Sequence, residues 1–295
     1  MEVVLGPLLF NWPAARVADF YARIAEETPV DRVHLGEVVC GKRAPLLEPT
    51  LVEAAERLAR AGKAVVWSTP ALPATPRERK AARELAAAFD LVEINDVCAL
   101  VDLPAETRFV AGPLLNVYNE AAAGELVAQG CVRLCANVEL PLSAVAAIAQ
   151  AHPALEIEIF AFGRLPLALS GRCYHARAHG LHKDSCRYVC DRDPDGMAVQ
   201  TLEGAPFLAV NGIQTLSHGV QAAARPVTEL RAAGVRALRL SPHACDMGRV
   251  IGAYRRFADE AIAPTELLAE IRAAGPPAEL IDGYLRGQPG LLPAA

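Results

Sequence analysis

The chain has 295 residues, close to the ~250 typical of one eight-fold β/α barrel with insertions and also enough for two average domains. Hydrophobic residues make up 53% and aromatics 5%, and 29 Lys and Arg face 34 Asp and Glu for a formal net charge of −5. This balance excludes a disordered chain and a dedicated nucleic-acid surface, and no apolar run approaches the ~18 uninterrupted residues of a membrane-spanning helix.

At the N-terminus, "MEVVLGPLLFNWP" lacks the Lys/Arg start and small-residue cleavage site of a secretory leader. The expected compartment is therefore the cytoplasm, where thiols stay reduced. Short β-rich runs then alternate with longer segments of helical period. "EVVLG" precedes a helix at 14–27, "DRVHLG" one at 49–61 and "AVVWST" one at 76–89. "LVEIN" follows, then "RFVAG" before a helix near 119–129, "VRLCANV" before 143–151, and "EIEIFAFG". After an interruption, "FLAVNG" precedes a helix near 222–233 and "ALRLSP" one near 247–260.

Such alternation predicts a parallel sheet with helical crossovers. The strands are mostly continuous and apolar, which predicts burial on both faces and so a closed, TIM-like β/α barrel before an open doubly wound sheet. One barrel-like domain is expected over 1–274. Residues 164–205 form an insertion after the seventh strand run, too long for an ordinary βα loop, and 275–295 form a Pro/Gly-rich, poorly ordered tail.

In a barrel, function belongs at the C-terminal ends of the strands, and the unusual residues fall there. The insertion holds Cys173, Cys186 and Cys190 together with His175, His179 and His182. In a reduced compartment, three clustered thiols point to metal or redox work more than to disulfides. Four thiolates suit either a structural zinc or an iron–sulfur cluster. Cys40 is the best fourth ligand, because it lies just beyond the second strand, on the rim that carries the insertion. Cys131 and Cys135 bracket an apolar strand, and Cys98 opens a short helical segment; these read as small buried hydrophobes. Cys245, beyond "LSP", is left open. The histidines keep a Cys/His zinc site in play, and spacing alone favours neither metal.

"GEVVCGKR", 36–43, is one residue short of a phosphate-binding loop. Arg43 stands where the Mg²⁺-binding Ser/Thr is needed, and Pro45 and Pro49 interrupt the helix that should follow, so nucleotide binding is rejected. No G-x-G-x-x-G follows the first strand, and H-E-x-x-H, G-x-S-x-G and C-x3-C-x2-C are absent.

Several long stretches resemble the collagenase-like peptidase family, and within it the small branch that takes part in oxygen-independent ubiquinone biosynthesis. They are "LGEVVCGKR" at 35–43, "FVAGPLLNVYN" at 109–119, "GRLPLALSGRCYHAR" at 163–177, "KDSCRYVC" at 183–190, "VNGIQTLS" at 210–217 and "RLSP" at 239–242. The wider family usually carries another cysteine where this chain has Pro166, a departure that weakens a peptidase reading. The resemblance implies a barrel-like fold and a [4Fe–4S] cluster held by Cys40, Cys173, Cys186 and Cys190; it alone selects iron–sulfur over zinc. It also implies a heterodimer with a larger, UbiU-type homologous subunit. The pair would hydroxylate the aromatic ring of a quinone precursor without O₂, with prephenate as the hydroxyl donor.

Glu37, Lys42, Asn116, Tyr118, Asn119, Ser170, Arg172, Asn211 and Gln214 fall at expected strand ends and are candidates to support the cluster or contact substrate; ordinary turn chemistry is the competing reading. Two other functions remain: a zinc-stabilised scaffold for a catalytic partner, and a peptidase-like hydrolase, for which no nucleophile–base arrangement is visible.

Overall fold

The structure is a computed structural model that describes residues 1–101 and 103–294. Seven strands run in order around a barrel: β1 (Glu2–Leu5), β2 (Arg32–Leu35), β3 (Ala64–Ser68), β4 (Leu91–Ile94), β5 (Arg108–Ala111), β6 (Cys131–Cys135) and β7 (Glu156–Leu169). Beyond β7 the chain builds β8 (Met197–Gln200), β9 (Pro206–Asn211) and β10 (Gln214–Ala222) before β11 (Val235–Leu240). β11 pairs in parallel with both β7 and β1, so eight parallel strands close into the expected TIM-like barrel.

Helices α1 (Ala14–Glu27), α2 (Ala44–Arg60), α3 (Pro76–Ala87), α4 (Glu120–Ala128) and α5 (Leu142–Ala151) make the crossovers of the first half. The short α6 (Tyr174–Ala178) lies in the insertion, and α7 (Val227–Ala232), α8 (Met247–Ala258) and α9 (Pro264–Ala273) complete the shell. Their sequences explain them. α1 buries Val17, Tyr21, Ile24 and Ala25, one stripe at helical spacing. α3 opens on a capping box, with Thr75 Oγ1 accepting from Glu78 N and Glu78 Oε2 from Thr75 N. α2 starts earlier than its apolar period suggests. Pro45 sits in the first turn, where its missing N–H costs nothing, and the one bond lost at Pro49 is offset by burial of Leu47, Leu51, Ala54 and Leu58.

Two expectations are corrected. "FLAVNG" is not a barrel strand: β9 pairs antiparallel with β10, and β10 with the extended end of β7. The cause is the two-residue turn Gly212–Ile213 between the paired Asn211 and Gln214, where Gly212 at φ 61 sends the chain back; the helix is then confined to α7, behind Pro226. The tail is packed rather than loose. β12 (Leu280–Ile281) joins β10 in parallel, Ile281 bridges to Pro293, and Leu280, Leu285 and Ala294 are buried; Ala295 lies outside the described residues.

The barrel interior is charged. Arg239 on β11 bridges Glu158 on β7 and Glu93 on β4, and His34 Nδ1 on β2 lies 2.9 Å from Glu93. Arg133 on β6 bridges Glu2, Glu156 and Glu158. β4 and β11 are not neighbours, so the Arg239–Glu93 contact crosses the lumen. Burial acts to raise the Glu93 pKa, but Arg239 and His34 override it and hold that carboxyl well below the carboxylate range.

Burial likewise holds His34 below its ordinary 6.5, with Arg239 adding to the effect and Glu93 opposing it. His243 is lowered by burial too, against an opposing Asp195. The unfolded chain therefore binds protons that the folded chain refuses. Stability is complete above about pH 6.5 and is lost on acidification, at about 1.4 kcal/mol per pH unit for each such histidine between its unfolded and folded titrations. Urea midpoints measured from about pH 7.5 down to about 5 are expected to stay level to about pH 6.5 and to fall steadily below it. A midpoint flat across that window would contradict neutral burial of these histidines.

Candidate metal centre

The loop after β2 is built to present Cys40. Gly36 has φ 148, and a Cβ there would lie 2.4 Å from Ser68 O, so only glycine lets the loop pass β3. Glu37 Oε1 then accepts from the backbone N–H groups of Val39 (2.9 Å) and Cys40 (2.8 Å) and from Arg43 Nη2 (3.0 Å). This buried carboxylate folds the turn that aims Cys40 away from the barrel.

The insertion supplies the remaining thiols. Cys173 caps α6, its Sγ accepting from Ala176 N at 3.4 Å. Cys186 ends a 3₁₀ turn over Lys183–Ser185, and Cys190 lies in another over Val189–Arg192, with Arg187 and Tyr188 in left-handed conformations between them. Three ties dock the insertion onto the rim. Lys42 Nζ donates to Lys183 O and Asp184 O at 2.8 and 2.9 Å, Tyr188 OH donates to Lys42 O, and Trp12 Nε1 donates to Pro194 O at 2.8 Å.

Cys40, Cys173, Cys186 and Cys190 thereby line one recess, and none is in a disulfide. Lys42, Arg43 and Lys183 also line it, and the lining includes no carboxylate. Burial pushes the Cys190 thiol up to about 11, with Arg43 and the Asn11 amide, 3.4 Å from Sγ, pulling the other way. Arg43 is 1% exposed, yet its Nε and Nη1 have no acceptor among the described residues. Each unpaired buried donor costs about 1–3 kcal/mol, and an anionic sulfur group in the recess would satisfy them. The donor set fits a cluster: four thiols, a cationic wall and buried Arg43 N–H groups that lack an acceptor among the described residues.

His175 lines the recess, but its Nε2 is held by Asp193 Oδ2 at 2.8 Å, while His179 Nδ1 bonds His175 O at 3.0 Å. His179 and His182 are not among the lining residues. Of the supporting candidates, Glu37 and Lys42 organise the recess. Asn211 Nδ2 bonds Leu9 O at 2.6 Å and Gln214 Oε1 at 3.3 Å, bracing the hairpin whose Gly212 lines it. Tyr118 bonds Glu139, Asn119 caps α4 through Ala122 N, and Ser170 Oγ accepts from Arg172 N; these four stand apart from the recess.

Asn116 faces a different hollow. At the C-terminal mouth of the barrel, a space of about 350 Å³ is lined by Leu72, Leu114, Leu115 and Leu167, with Asn95, Asp96 and Asn116 as its polar points. A deeper pocket shares Asn95, Leu114 and Pro166 with it and reaches Glu93, Arg239 and Ser241. Leu9 and Val38 line that deeper pocket, and Leu9 O accepts from Arg43 Nη2 at 3.3 Å, so the β1 and β2 loops separate the mouth from the cysteine recess.

The sequence model of Peptidase family U32 matches residues 20–291. The chain belongs to this family. Among solved structures, a truncated 3-deoxy-D-arabino-heptulosonate 7-phosphate synthase from Thermotoga maritima matches with TM-score 0.35 and 11% identity, over 93% of this chain and 88% of that one. An enolase, a putative galactarate dehydratase from Agrobacterium radiobacter, matches with TM-score 0.34 and 11% identity over 87% of this chain, which spans about half (49%) of that protein. Similarity at this level carries no functional argument.

For this U32 member, sequence reasoning missed Arg43, treated only as a misfit in a phosphate loop, and Asn11. It also missed Glu93, Arg239 and Asn95 at the mouth. A signal existed for two of these: "LVEI" and "ALRL" each set one charge inside an otherwise apolar barrel strand.

Proposed function

We propose that this U32 protein is an iron–sulfur subunit with a role of the UbiV type, acting with a larger UbiU-type homologue to hydroxylate the aromatic ring of a ubiquinone precursor without O₂. The observation that carries the reading is the convergence of Cys40 with Cys173, Cys186 and Cys190 on one cation-lined recess. A [4Fe–4S] cluster bound there supplies one-electron transfer. A zinc scaffold has less support. The family resemblance points to iron–sulfur, and four thiolates by themselves suit either group. Peptidase-like hydrolysis also has less support: the buried His243 donates to Asp195 and spends its other nitrogen accepting from Arg164 N, leaving none for a nucleophile's proton.

The mouth of the barrel suits the ring substrate. Its volume lies within the roughly 300–1,000 Å³ common for small-molecule sites, and its lining sets leucines beside Asn95, Asp96 and Asn116. Prephenate as hydroxyl donor rests on the family resemblance alone. For the partner, an apolar groove of about 920 Å³ leaves Phe207 56% and Leu291 74% exposed, which supports an interface.

The test is anaerobic incubation of the co-purified pair with a ring precursor and prephenate, read by mass spectrometry as the gain of one oxygen atom. Light scattering is expected to find aggregation for this chain alone and a defined complex with its homologue. A well-behaved monomer that supports the full reaction unaided would refute the subunit role.

A further inference from the structure

Arg43 leaves part of its hydrogen-bonding capacity unused at the cysteine recess. Its Nη2 is committed to Glu37 Oε1 and Leu9 O. Its Nε and Nη1 carry three further N–H bonds and find no acceptor among the described residues, although the side chain is 1% exposed and lines the recess beside Cys40 and Cys190. Glu37 Oε1 and Leu9 O hold the guanidinium at Nη2, which leaves Nε and Nη1 for another acceptor. Lys42 differs, because its ammonium is spent on the carbonyls of Lys183 and Asp184.

We propose that Arg43 is a positioning residue that sets the redox potential of the centre: its Nε–H and Nη1–H groups donate to sulfur atoms of a cluster held by Cys40, Cys173, Cys186 and Cys190. This rests on the iron–sulfur reading above. Reduction adds one electron to the cluster and makes it more negative. A fixed cation in a low-dielectric wall stabilises that state more than the oxidised one, and hydrogen bonds to the sulfurs act in the same direction. Arg43 therefore raises the potential and makes the centre easier to reduce. A lysine at this position would keep the charge and could still reach Glu37, but it cannot present a planar fork with two further donor nitrogens.

The experiment is an EPR-monitored titration with dithionite under argon, alongside iron and acid-labile sulfide analysis. The proteins are the wild type, Arg43→Lys and the double variant Glu37→Gln/Arg43→Met. The double variant leaves no unpaired buried carboxylate, and the glutamine carbonyl can still accept from Val39 N and Cys40 N. Both variants are expected to retain most of their iron. Their midpoint potentials should be lower than that of the wild type, with the double variant lowest. Unchanged midpoints at full iron content would overturn the proposal and leave Arg43 as a brace for Glu37. If the methionine variant fails to fold, the lysine variant alone decides. Wild-type protein lacking acid-labile sulfide would overturn the iron–sulfur reading itself, a result distinct from an iron-loaded protein whose potential ignores residue 43.

Discussion

Replacing Cys40, Cys173, Cys186 or Cys190 by alanine is expected to strip most of the iron from the protein. Each side chain would hold one corner of a cluster, and a cluster left with an open corner sheds metal. Cys131 and Cys135 terminate β6 and are buried in the barrel wall, and Cys98 lies in a 3₁₀ turn beyond β4. Alanine at any of these three should leave iron intact and cost on the order of 1 kcal/mol in packing. Cys245, whose Sγ sits 3.7 Å from Met247 Sδ and outside the recess, should behave in the same way. The histidines give the sharpest contrast. His175→Ala frees Asp193 and loosens the insertion, yet it should keep iron, as should His179→Ala and His182→Ala; a Cys/His zinc site would lose its metal with at least one of them. Metal analysis of the purified variants reads all of this. Iron that survives Cys40→Ala but vanishes with Cys245→Ala would show that the fourth ligand is misassigned.

The second large effect is on stability. Arg239→Met removes the cation that Glu93 and Glu158 share, and both carboxylates are 0% exposed. Stranding buried charge in this way costs about 3–5 kcal/mol, a large share of the net stability of any single domain. By contrast, Arg60→Met removes an exposed i,i+4 partner of Glu56 and should cost at most about 1 kcal/mol. Urea unfolding at neutral pH compares the two. Similar losses for both would mean that the lumen is wet and its ion pairs screened.

The barrel was legible in the sequence because local signals coincide with the fold: apolar strands alternate with amphipathic helices, and α1 and β7 begin where the pattern places them. The β9–β10 hairpin was not legible as such. A strand followed by polar alternation resembles a strand entering a helix unless Gly212 is given its full weight as a turn residue. Cys40 was found because a thiol beyond a barrel strand has few structural reasons to be there. Arg43 was not found, because its role depends on a carboxylate six residues earlier and on an insertion ~140 residues later, and a linear motif expresses neither. The docking of the insertion escaped for the same reason: Lys42 and Trp12 hold it through backbone carbonyls, which carry no sequence signature.

The most direct test of the central claim is to purify the protein without oxygen and measure its iron, acid-labile sulfide and visible absorption. The account predicts a brown protein with iron and sulfide in equal amounts, broad sulfur-to-iron absorption, and an EPR signal that appears on reduction. A colourless protein carrying stoichiometric zinc, or no metal, with its four cysteines freely alkylated, would contradict it.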